Sequence, residues 1–221
     1  MQQPVRSLLQ PSILLFYMAL PFVFNFCKNN NFLQAIFTFI KFFLHLILSF
    51  KTFTYLYTRF YLVIMNITLL VVGKTDKDYI NQAVEEYFKR IKRYMNFEFK
   101  VVKDIKNAKS VTTAVQNKLE GEKILDELSP SDFVVLLDEN GKNPSSKEFA
   151  AFIEKQSLSG LKNLVFVIGG PYGFSEDVYA RANYKLSLSR MTFSHQLVRA
   201  IFAEQLYRAL SILNNDPYHH E

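Results

Sequence analysis

Acidic residues and glycine are missing from the first 64 positions of this 221-residue chain, and cysteine occurs once, at Cys27. A lone cysteine excludes a disulfide framework and a zinc site built on paired cysteines. Histidine is scarce as well. His45 lies in the early segment, His195 opens an expected helix, and His219 and His220 sit in the tail. No two have the spacing of helical metal ligands, so no metal is expected. The basic excess is smaller than it looks. Of 26 basic and 20 acidic residues, five basic ones (Arg6, Lys28, Lys41, Lys51, Arg59) and no acidic ones fall within 1–64. The formal charge of +6 is therefore +5 from that segment and +1 from the remainder. This balance argues against a strongly basic nucleic-acid-binding domain; RNA contact would need local patches or a dimer groove.

What residues 1–64 do contain is apolar. Pro11 to Cys27 is one stretch, Phe32 to Phe50 a second with Lys41 and His45 inside it, and Phe53 to Ile64 a third broken by Arg59. A membrane span needs about 20 mostly apolar residues. The first stretch is short and carries Pro21, and the second places costly polar groups at its centre. A secretory signal fits poorly, because no small-residue cleavage site follows a single apolar block. Two readings of this hydrophobic leader compete. One is a membrane anchor of one or two helices. The other is upstream DNA read in frame, with Met65 as the authentic start. The Phe, Leu, Ile, Asn and Lys bias is what A/T-rich DNA encodes without selection, and balanced charge follows directly after Met65. The second reading is favoured, with a cytoplasmic location; the first would bring membrane association.

From Met65 onward, one domain of alternating strands and helices is expected over 65–221. Ile67 to Val72 is a buried strand ending at Gly73, and Tyr79 to Tyr94 carries apolar residues at helical spacing. Phe97 to Val102 alternates like a half-covered strand. Val111 to Leu128 reads as a helix with Gly121 its weak point, closed by Ser129-Pro130. Phe133 to Leu137 is a strand followed by a turn, Asp138-Glu139-Asn140-Gly141. A capping box, Ser145 with Glu148, opens a helix running to about Gln156. Leu164 to Ile168 is a strand ending in Gly169-Gly170. A short helix from about Ser175, a strand near Tyr184 to Leu188 and a long helix from His195 to about Leu213 complete the series. Near-continuous aliphatic strands between helices predict an α/β fold with a mostly parallel sheet covered on both faces.

Ligands of such sheets bind beyond the carboxyl ends of the strands. Three of those exits carry unusual text: Leu137 to Gly141, Gly169 to Phe174 and Leu188 to Phe193. Converging, they make a pocket of backbone amides, small residues and aliphatic side chains without a cationic cluster. It suits a ligand with an adenine and an amino-acid tail better than a triphosphate. Gly73-Lys74-Thr75 resembles the end of a phosphate loop, but Thr68 stands where that loop needs glycine, so it reads as a strand-end turn. Gly169-Gly170-Pro171-Tyr172-Gly173 does not match a dinucleotide fingerprint; an ordinary turn and a ligand loop are equally compatible with it.

His195 heads the last helix, where the helix dipole would lower its pKa, although a packed histidine at a helix start explains it as well. Arg199 lies one turn later on a largely apolar helix and, if buried, calls for an acidic partner or an anionic ligand. Glu204 and Arg208 form an i,i+4 pair that salt bridging accounts for. Embedded charges on a buried helix fit a subunit interface bordering a site. The tail Asp216-Pro217-Tyr218-His219-His220-Glu221 reads on composition as a solvated end.

Taken together, these motifs resemble the ribosomal RNA large-subunit methyltransferase H family of the SPOUT superfamily. The resemblance starts at Met65, covers essentially all of 65–221 and leaves out 1–64. It rests on Val71-Val72-Gly73-Lys74, Leu137 to Lys142, Phe166 to Gly173, Leu186 to Phe193, and the last helix and tail with Glu204, Tyr207, Arg208 and Pro217-Tyr218-His219. It implies a fold whose C-terminal part forms a trefoil knot, a homodimer, and S-adenosylmethionine-dependent methylation of N3 of a pseudouridine in 23S rRNA. Leu137, Gly169 and the stretch Leu188, Ser189, Arg190, Met191, Thr192, Phe193 would contact S-adenosylmethionine. His195, Arg199, Tyr207, Arg208 and His219 would border the target nucleotide at the dimer interface. Where the family usually carries arginine or lysine this chain has His220, which implies a weaker phosphate contact there.

Overall fold

The computed structural model describes residues 65–105 and 112–218, together with Ile40, Lys41, Phe43 and Ile47, which are helical. The chain divides into two units, Met1–Thr54 and Tyr55–Glu221. Both readings of the leader concern residues that lie, but for those four, outside the described ones. Among the described residues no helix is long and apolar enough to cross a membrane.

Five strands form one sheet: β1 (Asn66–Val72), β2 (Asn96–Val102), β3 (Phe133–Lys142), β4 (Asn163–Ile168) and β5 (Tyr184–Leu186). Their order is β2-β1-β4-β3-β5, and every pairing is parallel. The helices are α1 (Asp78–Ile91), α2 (Thr113–Asp126), α3 (Ser146–Leu158), α4 (Glu176–Arg181) and α5 (Leu197–Leu213). Alternation along the strands explains the unbroken aliphatic runs. Ile67, Leu69, Val71, Phe166 and Ile168 point into one core with Phe149, Ile153, Phe202 and Leu206 of α3 and α5 and Ile91 of α1. Leu70, Val72, Val134, Leu136 and Val167 point into the other, against Ile124 of α2 and Val178 of α4. Both faces are covered, so both registers of side chain must be apolar.

Local chemistry sets the boundaries. At α3 the capping box forms: Glu148 N–H donates to Ser145 Oγ at 3.3 Å, and Ser145 N–H donates to Glu148 Oε2 at 2.7 Å. Such a cap stabilises a helix by about 1 kcal/mol. Thr112 and Ser175 cap α2 and α4 in the same way. The last helix starts two residues later than expected, at Leu197: Ser194 caps the turn through Leu197 N–H and Val198 N–H, but Arg199 N–H turns to Gln196 O, and the His195 carbonyl takes the Arg199 side chain instead.

The expected turn at Asp138 to Gly141 is corrected by the structure to part of β3. The ladder leaves β5 at Leu137 and returns at Lys142, both opposite Leu186. The residues between them form an excursion held by Asn140 N–H donating to Asp138 Oδ1 at 2.7 Å. Gly141 makes the return possible, since a Cβ there would sit 2.7 Å from the backbone of Leu186. The turn chemistry is real; the strand simply outlasts it.

Candidate active site

Because the strands are parallel, the exits of β3, β4 and β5 lie at one end of the sheet, and they enclose a cleft of about 660 Å³. That size suits a single small organic ligand. Of the expected cofactor residues, Leu137, Gly169, Leu188, Ser189, Met191, Thr192 and Phe193 line it, and Arg190 does not. His195 lines it as well, and so do the carboxylates Asp138 and Glu139. No lysine or arginine of the described residues contributes to the wall.

Each wall is tied down locally. Ser187 Oγ donates to Ser189 O at 2.7 Å, and Met191 N–H donates to Ser189 Oγ at 2.9 Å, curling the stretch after β5 inward. Asn143 Nδ2 donates to Ser187 O at 2.9 Å. Thr192 Oγ1 donates to Glu139 Oε2 at 3.1 Å, closing the two loops on each other. The loop after β4 folds back through Gly173 N–H donating to Gly170 O at 3.2 Å, and Asn117 Nδ2 of α2 donates to Tyr172 O at 2.9 Å. Tyr179 of α4 donates its hydroxyl to Asp138 Oδ2. Partial burial first, and then that carboxylate, push the Tyr179 phenol up to about 12. Sequence reasoning missed Tyr179. Nothing in a six-residue helix marks it; only the β4-β3-β5 order brings α4 beside the β3 exit.

The residues expected to border a substrate fall into two groups. His195, half-buried, faces the cleft, and its neighbour Gln196 bonds the loop after β1 through Lys74 O and Asp76 N–H. Arg199 is fully buried. Its guanidinium donates to Val72 O (2.6 Å), Gly73 O (2.9 Å), Thr75 Oγ1 (2.8 Å) and His195 O (3.1 Å). The acidic or anionic partner expected for it is replaced by carbonyl oxygens at the end of β1. Burial pulls its pKa down, against the more distant pull of Asp104 and Asp76.

Tyr207 and Arg208 lie elsewhere. Helix α5 runs back toward the amino ends of the strands, so Arg208 is about 14 Å further along its axis than Arg199. There Arg208 pairs with Glu204 and stands over the Tyr218 ring, 5.0 Å from its centroid. Tyr207 packs edge-on to Tyr218 at 4.6 Å and near Tyr94 at 5.9 Å. Tyr94 donates its hydroxyl to Asp216 Oδ2 at 2.6 Å, which holds the start of the tail against α1 and α5. Burial, with Asp216 second, pushes the Tyr94 phenol upward. His219 and His220 lie outside the described residues. One chain therefore does not bring Tyr207 and Arg208 to the cleft that holds His195.

The chemistry available at the cleft follows from its lining. Backbone groups and short polar side chains can fix an adenine and an amino-acid end, and two carboxylates favour a cationic centre over a phosphate chain.

The chain is similar to known proteins over its C-terminal part. Residues 65–219 match a family model described as a predicted SPOUT methyltransferase. The "Ribosomal RNA large subunit methyltransferase H" of Parabacteroides distasonis is 55% identical over 157 residues, 71% of this chain and 100% of that protein. The protein of the same name from Christiangramia forsetii is 54% identical over 156 residues, 71% of this chain and 99% of its own length. That of Flavobacterium psychrophilum is 51% identical over 157 residues, with 71% and 100% covered.

Proposed function

Because the chain belongs to the SPOUT methyltransferase family, we propose that it methylates N3 of a pseudouridine in 23S ribosomal RNA, with S-adenosylmethionine as donor. The observation that carries the reading is the cleft at the exits of β3, β4 and β5, walled by backbone, apolar side chains and two carboxylates and free of lysine and arginine among the described residues. Such a lining fits a cationic sulfonium ligand with no phosphate. The sulfonium supplies an already activated methyl group, so the protein's task is alignment and exclusion of water. Gly169, Leu137 and the stretch Leu188 to Phe193 hold the donor, with Arg190 outside the wall. His195 lines the cleft, and in this reading it takes the N3 proton of the acceptor imide. Arg199 is a positioning residue in this scheme, because its Nε–H grips the His195 carbonyl while three further donors go to Val72 O, Gly73 O and Thr75 Oγ1.

The reading includes a homodimer. Tyr207, Arg208 and Tyr218 stand at the far end of α5 from their own cleft, and a second copy can bring them to it. It also includes a trefoil knot through the loops after β4 and β5, a domain boundary at Met65 and a cytoplasmic enzyme acting on assembled ribosomal particles. The 157 residues shared with the relatives equal the span from Met65 to Glu221 and support that boundary.

Two measurements test the proposal. Calorimetry on the full chain is expected to detect binding of S-adenosylmethionine and of its demethylated product, S-adenosylhomocysteine. Methylation mapping of 23S rRNA from a deletion strain is expected to lack one N3-methylated pseudouridine, restored by the gene. No uptake of either compound would sink the donor assignment, and an unchanged methylation map would sink the substrate assignment.

A further inference from the structure

Behind the loop that follows β4 lies a side chain that the scheme above does not use. Glu120 of α2 is only 4% exposed. Its Oε1 accepts a hydrogen bond from Gln116 Nε2 at 2.7 Å. Its Oε2 is buried and has no hydrogen-bond partner among the described residues. No lysine, arginine or histidine of the described residues is ion-paired with it. An unpartnered buried carboxylate oxygen is costly, and native proteins keep few of them.

Its direction is informative. Glu120 Oε2 stands directly behind Gly170, in the space that a Cβ at that position would need. Gly170 itself lines the cleft on its other side. The carboxylate is therefore separated from the ligand space by one residue of backbone. The same helix face holds the rest of the loop: Asn117 bonds Tyr172 O, and Gly121 packs against Ser175 so closely that a Cβ would run into its Oγ. Three positions of α2, spaced i, i+3 and i+4, thus grip the loop at three points. The carboxylates in the front wall differ from Glu120, since Asp138 already accepts from Tyr179 and the Asn140 amide, and Glu139 from Thr192.

We propose that Glu120 is an electrostatic positioning residue, whose carboxylate behind Gly170 favours a cationic ligand in the cleft over a neutral one of the same shape. The inference rests on the S-adenosylmethionine reading and deepens it. The donor carries a sulfonium charge, and the product left after transfer has a neutral thioether. A buried negative charge one backbone layer away holds the first more tightly than the second and eases release of the product. Burial keeps that charge from being screened by salt.

The test compares the two ligands on two proteins. Dissociation constants of S-adenosylmethionine and S-adenosylhomocysteine are measured by calorimetry for the wild-type chain and for Glu120→Gln, which keeps size and hydrogen-bonding atoms. Glu120→Gln is expected to weaken donor binding about fivefold, the scale of one poorly screened charge, and product binding much less. The donor KM should rise while kcat at saturating donor holds. Equal weakening of both ligands, or none, overturns the proposal, because a purely structural role cannot tell a sulfonium from a thioether. Should Glu120→Gln fold poorly, the double variant Glu120→Met with Gln116→Leu, which replaces the carboxylate and its donor together by apolar groups of similar size, must weaken donor binding more than product binding. An unchanged ratio of the two constants there also overturns it. If the wild-type chain takes up neither compound, the donor reading itself has failed, an outcome distinct from the others.

Discussion

The two arginines of α5 stand nine residues apart and are used in opposite ways. At the head of the helix, Arg199 is fully enclosed and spends four N–H groups on three carbonyl oxygens and a hydroxyl. At the foot, Arg208 is partly exposed and meets other side chains, the Glu204 carboxylate and the Tyr218 ring. The head clamps backbone to backbone, joining the end of β1 to the start of α5 beside the cleft. The foot is a mesh of side chains that can be rearranged without unmaking a strand. Burial alone does not say what an arginine is for; the kind of acceptor it faces does.

The largest expected effect separates these roles. Arg199→Ala would leave Val72 O and Gly73 O buried without their donor and open a cavity beneath the cleft. A loss of about 3 kcal/mol or more in unfolding free energy is expected, read by urea denaturation. Arg208→Ala should cost below about 1 kcal/mol, as a partly exposed pair does, yet reduce turnover on ribosomal particles at least as much as it reduces stability. Equal stability losses for both would erase the distinction. A stable Arg199→Ala that loses only activity would return Arg199 to direct contact with substrate.

How much of this was legible in the sequence depends on the range of the interaction. The aliphatic strands, the Ser145–Glu148 cap and the three unusual strand exits are local signals, and each appears where its residues predict. The β3 excursion was half legible. Asp138-Glu139-Asn140-Gly141 announces a turn, but the return of Lys142 depends on Leu186, 44 residues later. Burial of Arg199 follows from the apolar helix that carries it, but its partners do not, because carbonyl acceptors leave no trace in residue identity. Tyr179 and Glu120 were invisible for a related reason. The one reaches the cleft only through the sheet order, and the other touches it only through Gly170. The separation of Tyr207 and Arg208 from the cleft follows from the direction of α5, which no motif encodes.

The foot can be weakened by one atom. Tyr94→Phe removes the hydroxyl that bonds Asp216 at 2.6 Å and keeps the ring that packs against Tyr207. A charged acceptor in a partly buried site makes this bond worth about 1.5 kcal/mol. The expected result is a stability loss of that size, with faster hydrogen exchange at Tyr218. The head should be untouched: protection of Val72 and Gly73 is expected to stay at wild-type level. Coupled loosening at both ends would mean that α5 behaves as one rigid unit, and the contrast between its ends would fail.

The smallest effect uses the same phenol–carboxylate chemistry at the opposite end. Tyr179 bonds Asp138 on the rim of the cleft and is 38% exposed, so Tyr179→Phe should cost less than Tyr94→Phe, below about 1 kcal/mol near neutral pH. The pH dependence has a definite sign. The folded state holds the Tyr179 proton up to about 12, against an ordinary tyrosine value of 10.0. The unfolded chain therefore releases that proton first as pH rises, and the stabilisation, complete below pH 10, is lost between about 10 and 12. Wild type and Tyr179→Phe should accordingly converge in stability across that window. Tyr94 and Tyr218 are also shifted upward, but both proteins contain them, so their contribution cancels in the difference. A gap that widened with pH would mean that ionised Tyr179 is the better-held form, and the hydroxyl would then face a cation rather than Asp138.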